Sequence, residues 1–430
     1  MPEKAESSAV RTTAGDQADT AGHYDVLVLD AIHKQSLASA RSLGRAGLRV
    51  ALAESYAEHR RGEPVPAFSS KYCHHAVELP NYAEDAAAYR DAVSDFVQAH
   101  GTRVVLPTGD GNIAAIAPSR KRLADLGCVL ALASDATLDI ACDKDRMLEL
   151  ARKLDIPVPR SILVRDVSDL TAVYGELGFP LVVKPTLSWA GKASSRLTAT
   201  LVVSEAEAVT ATEAALDAGA NVLAQEWASG RREGVSLFIA DGEVLAAVGH
   251  VEYRTSPPLG GVSSLRESIA TPEDILGPAV VLATEIGLEG AFEVEFRRNG
   301  AGRPLLMEIN PRLNGTIETA VRSGVDFPLM IWTWATGSTV QRVAGYRTGV
   351  RTRWLHGDLR WLRENHLLAG RPDTVSKSRG LWLFASEFAR TRYYDNVDWR
   401  DLRPALQELR VTVAAFRTRN SRHTPANTAG

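Results

Sequence analysis

The stretch "AFEVEFRRNGAGRPLLMEINPR", Ala291 to Arg312, constrains the fold more than any other part of the chain. It reads as two short alternating strands joined by a Gly-rich connection. Alternation puts Phe292, Val294 and Phe296 on one face of the first strand and Glu293 and Glu295 on the other. In the second strand Leu305, Met307 and Ile309 face one way, and Leu306, Glu308 and Asn310 the other. With the connection running from Arg298 to Pro304, Glu295 falls almost opposite Glu308. Like charges directly across a ladder repel, so a hairpin that keeps them requires a cation or a proton. This one asks for a metal.

The 430 residues, 45% hydrophobic and 23% charged, are enough for two or three globular domains. Lys+Arg 49 against Asp+Glu 52 gives a net charge of -3, which offers no bulk attraction to nucleic acid or to an anionic membrane. Cys73, Cys128 and Cys142 lack the paired spacing of a zinc site or a disulfide framework, and a reducing cytoplasm suits them. Residues 1–22 are small and polar and read as a disordered tail, with no apolar h-region. No apolar run is long enough to span a bilayer.

Residues 23–142 read as a parallel α/β domain, beginning with "YDVLVLD", a helix, and "RVALAE". The turn after the first strand, "DAIHKQS", has no G-x-G-x-x-G, which argues against a dinucleotide site. Thr108, Asp110 and Asn112 lie just past a strand end, where open α/β sheets place ligands; capping of the next helix explains them equally well. "CDKDRMLELARKLDIPVPRS" is a helix ending in a Pro-rich strap that bridges to a second domain. "FPLVVKPTLSWAGKASSRL" then delivers Lys184 at a strand end, followed by a small-residue loop, Thr186 to Ser195. Backbone N–H groups of such a loop can fold over phosphates, with Lys192 as a further cation. A polar link carrying Glu226, Gly230 and Glu233 leads to a hairpin turned at Asp241-Gly242.

Taken in order, "CDKDR", "PLVVKP" with its loop, "QEWASGRREGVS", "AFEVEF" and "LLMEINPRLNGT" resemble the ATP-grasp superfamily over roughly residues 24–335. They are most similar to its carboxylate–amine ligase branch, as in carbamoyl-phosphate synthetase large chains and D-aspartate ligases. The resemblance implies an α/β (α+β) fold: a pre-ATP-grasp domain at 23–142, then a two-lobed ATP-grasp domain at 143–335. Its small lobe is expected at about 155–228, with nucleotide held between antiparallel sheets. Residues 336–430 read as a helix-rich extension with a partly flexible end that helps shape the substrate pocket.

The same resemblance implies ATP and Mg2+, with Mn2+ as a substitute. Lys144 and Lys184 would contact phosphates beneath the loop bearing Ser188, Gly191 and Lys192. Glu226 with the backbone of Trp227 and Ala228 would meet adenine, Glu233 the ribose, and Met307 would also line the nucleotide. Glu295, Glu308 and Asn310 would hold magnesium, a donor set of oxygens alone that suits magnesium over zinc. Arg312 would stabilise the transferring phosphoryl group, with Lys184 and Arg266 beside it in catalysis. Arg254, Arg266, Arg312 and Asn314 would meet the substrate. Glu293 has no motif role. The implied reaction joins a small-molecule carboxylate and an amine, amino acid or peptide, with release of ADP and phosphate. A carboxylase or carbamoyl-phosphate-type enzyme and a non-catalytic ATP-binding regulator are the alternatives, and a homodimer stays open.

Overall fold

The computed structural model describes residues 11–12 and 22–420, apart from 60, 190–196 and 259. The first layer is a six-stranded sheet made of β1 (Arg11–Thr12), β2 (Val26–Val28), β3 (Val50–Glu54), β4 (His75–Glu78), β5 (Val104–Leu106) and β6 (Val129–Leu130). Its order is β1-β4-β3-β2-β5-β6. The inner strands pair in parallel, and β1 adds antiparallel at the edge. Arg11–Thr12 thus lie inside the stretch read as tail but pair with Glu78 and Val77. Strands β2 and β3 are buried throughout, as strands covered by helices on both faces must be.

A four-stranded antiparallel sheet follows, with β7 (Ser161–Val164), β8 (Leu181–Pro185), β9 (Thr200–Val202) and β10 (Val222–Glu226) in the order β7-β10-β8-β9. Val183, Val202, Val222 and Ala224 form a small core with Leu170, Val173 and Ala208 from its two covering helices. Seven strands make the third sheet: β11 (Arg232–Ala240), β12 (Glu243–Ser256), β13 (Val262–Ile269), β14 (Gly290–Arg298), β15 (Pro304–Asn310), β16 (Arg351–Arg353) and β17 (Tyr393–Tyr394). The order is β15-β14-β11-β12-β13-β16-β17.

Two features depart from the sequence reading. The boundary at 335 cuts a continuous sheet, because β16 and β17 belong to the supposed extension and cover the β13 edge, whose N–H and C=O groups would otherwise lack partners. In the hairpin, Glu295 pairs with Glu308 as expected, but Phe296 pairs with Leu306, leaving Met307 as the extra residue of a bulge. The bulge turns Leu306 onto the apolar face, where it is fully buried with Phe292, Val294, Phe296 and Ile309.

The C-terminal segment also ties the first domain to the third sheet. Arg41, 1% exposed, bonds Asp401 at 2.9 Å and the carbonyls of Asp395, Asn396 and Asp401. Lys34 reaches Asp395 at 3.3 Å. A guanidinium so deeply buried is tolerable only because its donors are met. No helix among the described residues is long and apolar enough to cross a membrane.

Candidate active site

The hairpin carboxylates meet two lysines from different elements. Lys184 closes β8, is 6% exposed, and lies with its Nζ 3.4 Å from the carbonyl of Met307, the bulged residue. Burial, and then the neighbouring Lys144 charge, push its pKa down to about 8 against the pull of Glu308 and Glu295. Lys144 opens the Lys144–Lys153 helix, capped by Asp143. Its Nζ donates to the Ser188 hydroxyl at 3.0 Å and lies 3.6 Å from Glu308. Burial and the charges of Glu308 and Glu293 raise the pKa of Glu295 well above the carboxylate range.

The donor amide of Asn310 bridges Glu295 at 2.8 Å and Glu293 at 3.1 Å. Its oxygen accepts from Arg312 at 3.2 Å. Arg312 in turn pairs with Asp110 of the first domain at 2.5 Å. Asn314 is buried and accepts from the N–H and hydroxyl of Thr316 at 2.9 and 2.6 Å. Gly191 and Lys192 lie outside the described residues.

Three residues escaped the sequence reading. Arg232 on β11 stands 3.7 Å from Glu295 and 3.3 Å from Glu252. His250 on β12 meets Glu293 at 3.0 Å, and Thr316 donates to the same carboxylate at 3.1 Å. Burial alone would raise the pKa of Glu293, but the bond and charge of His250 hold it down at about 2. His250 reaches across Gly234, where a Cβ would come within 2.6 Å of the ring. A glycine inside the strand "REGVSLFIA" was the available signal for such a close approach.

Several expected contacts are corrected. Arg266 is wholly buried and spends its donors on Asp395 at 2.6 Å, Thr319 at 3.2 Å and the Ser263 carbonyl. Arg254 bonds both Asp358 oxygens at 2.9 Å and stacks over Trp361. Neither presents a fork to a substrate, because the C-terminal segment supplies the carboxylates that neutralise them. Glu233 likewise has a fully buried side chain between Arg231 and Arg298, so it offers no free oxygen to a ribose. The Glu226 carboxylate is tied to Arg160 at 2.8 Å, and the Trp227 ring lies under Arg297. Ala228 is buried beside them in sequence.

A structural role for Arg254 predicts the behaviour of its partner. Asp358 also pairs with the buried Arg353 at 2.6 Å. In the Asp358→Asn variant Arg353 loses its counter-charge and Arg254 keeps only Glu387 at 3.8 Å, so denaturant unfolding should show a loss of about 3–5 kcal/mol. Nucleotide affinity of the folded fraction should stay within about threefold, since independent sites couple by no more than about 0.5 kcal/mol. Unchanged stability in Asp358→Asn would overturn the structural role of Arg254.

A parallel α/β domain, a small antiparallel sheet and a large antiparallel sheet carrying paired carboxylates, with two lysines facing them, define the class by fold: the chain has the ATP-grasp architecture. Within it, residues 221–357 match the family described as ATP-grasp in the biosynthetic pathway with Ter operon. The chain is 26% identical over 211 residues to a D-alanine–D-alanine ligase of Pseudomonas entomophila, a match covering 45% of this chain and 63% of the ligase, so less than two thirds of that relative's length is spanned. The crystal structure of an L-amino acid ligase from Bacillus licheniformis superposes with a TM-score of 0.55 at 16% identity, over 73% of this chain and 74% of that one. The biotin carboxylase domain of a 2-oxoglutarate carboxylase from Hydrogenobacter thermophilus, bound to MgADP, ADP and bicarbonate, gives 0.58 at 17% identity over 76% and 73%. At these identities the two structures share the fold.

Proposed function

We propose that the chain is an ATP-dependent carboxylate–amine ligase that works through an acyl phosphate and releases ADP and phosphate. The observation that carries the reading is the apposition of Glu295 and Glu308 across one ladder, facing Lys144 and Lys184, with Arg312 two residues beyond Asn310. Two carboxylates without a thiolate or imidazole between them, and a mutual repulsion that a divalent cation relieves, fit magnesium; the Asn310 amide, whose NH2 faces Glu295 here, would turn its oxygen to the ion to complete the set. The ATP and magnesium ligands named from the sequence, Glu295, Glu308, Asn310, Lys144, Lys184 and Ser188, remain the residues proposed for those roles. The backbone of Trp227 and Ala228 and the Met307 carbonyl are proposed to line the nucleotide.

Magnesium bound there would neutralise phosphate oxygens as charge moves from the terminal phosphoryl group. Lys184, desolvated and below the ordinary lysine range, gains most from an arriving anion, so its charge is directed at the phosphates. Lys144 is positioned by Ser188 and its helix terminus. Arg312 holds the Asn310 amide oxygen and presents a fixed cation beside it. Phosphorylation turns a carboxylate oxygen into a good leaving group, which a neutral amine then displaces. The similarity to a D-alanine–D-alanine ligase supports this reading.

The test is a screen of amino-acid pairs for ADP and phosphate release, with hydroxylamine as the trapping nucleophile. Hydroxamate formed from the carboxylate substrate with ADP and phosphate is the expected result. AMP and pyrophosphate, or ADP release that needs only bicarbonate, would overturn it.

A further inference from the structure

A second cluster of metal-ligating side chains lies in the first domain, at the carboxyl ends of β2, β3 and β5. Here the strand order runs outward in both directions from β2, and open α/β sheets leave a crevice at such a point. Asp30 follows β2 with a left-handed φ of 52° and is 3% exposed. His33 and Glu58 are each 20% exposed at the side chain, with Nε2 and Oε2 3.4 Å apart. One ligand atom from each of the three lies within 4.8 Å of the others.

We propose that Asp30, His33 and Glu58 form a binding site for one divalent transition-metal ion of the zinc class, with water in the remaining position. Metal–ligand bonds of about 2.0–2.1 Å in a tetrahedron set neighbouring ligand atoms about 3.4 Å apart, the separation found between His33 and Glu58. The His33 ring is oriented by its other nitrogen, Nδ1, which lies 3.5 Å from the buried Thr108 hydroxyl. Such an outer contact leaves Nε2 facing the ion. Chain geometry also enforces the convergence. A Cβ on Gly109 would come within 2.6 Å of the Asp30 carboxylate and 2.7 Å of the His33 ring, so only glycine lets the two side chains meet there.

One buried polar side chain points independently to a missing ligand. Asn112 is 0% exposed with its amide turned to the Asp30 carboxylate, and no further hydrogen bond reaches its nitrogen. A metal-bound water supplies the acceptor that its second N–H lacks. Glu54 accepts from the N–H groups of Ile32, Ser55 and Tyr56 at 2.8–2.9 Å, which fixes the orientation of its carboxylate. An imidazole among carboxylates suits zinc, whereas the all-oxygen set on the hairpin suits magnesium, so the two sites select different ions.

The test uses the full chain, stripped of metal and then equilibrated with micromolar zinc in a large excess of magnesium. Elemental analysis after gel filtration should find one zinc per wild-type chain, and cobalt substitution should give the visible absorption of a tetrahedral site. His33→Ala should retain less than a tenth of the zinc at the same free concentration, while Glu308→Gln retains as much as the wild type. Asp30→Asn repeats the measurement should His33→Ala lose its circular dichroism. Sub-stoichiometric zinc in the wild type, or uptake unchanged in the folded variants, would overturn the assignment.

Discussion

Glu308→Gln should lower magnesium-dependent turnover by about 100- to 10,000-fold, the scale set by losing several kcal/mol of metal-mediated charge stabilisation. The amide keeps the shape of the side chain and supplies no charge. Its effect on the free protein should run the other way with pH. Burial and the Glu308 charge raise the pKa of Glu295 in the folded chain, so the folded state holds a proton that the unfolded chain releases above pH ~4.3. The stabilisation is complete below that pH and is lost as pH rises toward the folded-state value. In the Glu308→Gln variant the repulsion is gone, and this pH-dependent loss should shrink. Thermal melts in chelator at about pH 5 and about pH 8, on either side of neutrality and above the unfolded-state value, measure it: the fall in Tm across that interval should be smaller in the variant. Loss of the Lys144 contact at 3.6 Å works against a net gain at either pH, which makes the difference between pH values the informative quantity. Unchanged magnesium dependence in Glu308→Gln would remove the hairpin from the metal site.

Arg312→Lys should cost about 2–4 kcal/mol in transition-state stabilisation, roughly 30- to 1,000-fold in kcat. One guanidinium serves three partners at once: Asp110 through Nε, the Asn310 oxygen through Nη2, and the Leu313 carbonyl through Nη1. A lysine keeps the charge but not the planar fork, so it cannot hold Asp110 and Asn310 together. Release of Asn310 also frees the amide that bridges Glu293 and Glu295. ATP affinity should change far less, because Lys144 and Lys184 are untouched. Equilibrium nucleotide binding alongside steady-state kinetics separates the two effects. Lost ATP binding with normal turnover at saturation would make Arg312 a ground-state ligand.

What could be read from the chain alone was whatever depends on neighbours along it. Period-two alternation set Glu295 against Glu308 and buried Phe292, Val294 and Phe296 before any sheet was known. The apolar run before Lys184 delivered that lysine to the end of a strand. Local steric periodicity needs no partner, so these features survive in the sequence.

Charge pairing does not. The resemblance assigns Arg254 and Arg266 to the substrate, but the carboxylates that hold them are remote in sequence: Asp358 lies 104 residues beyond the first and Asp395 129 beyond the second. Glu233, which the resemblance assigns to a ribose, is held from one side by Arg231 two residues away and from the other by Arg298, 65 positions on, and only the fold brings the second. Leu306 changed faces because a single extra residue in one strand inverts every side chain past it, and only pairing reveals such a bulge. Arg232 and His250 came to the carboxylates through the order β14-β11-β12, which the sheet alone decides. A side chain carries its chemistry in the sequence, but its ionisation and reach depend on which groups share its desolvated surroundings, and those groups are assembled only when the distant strands pair.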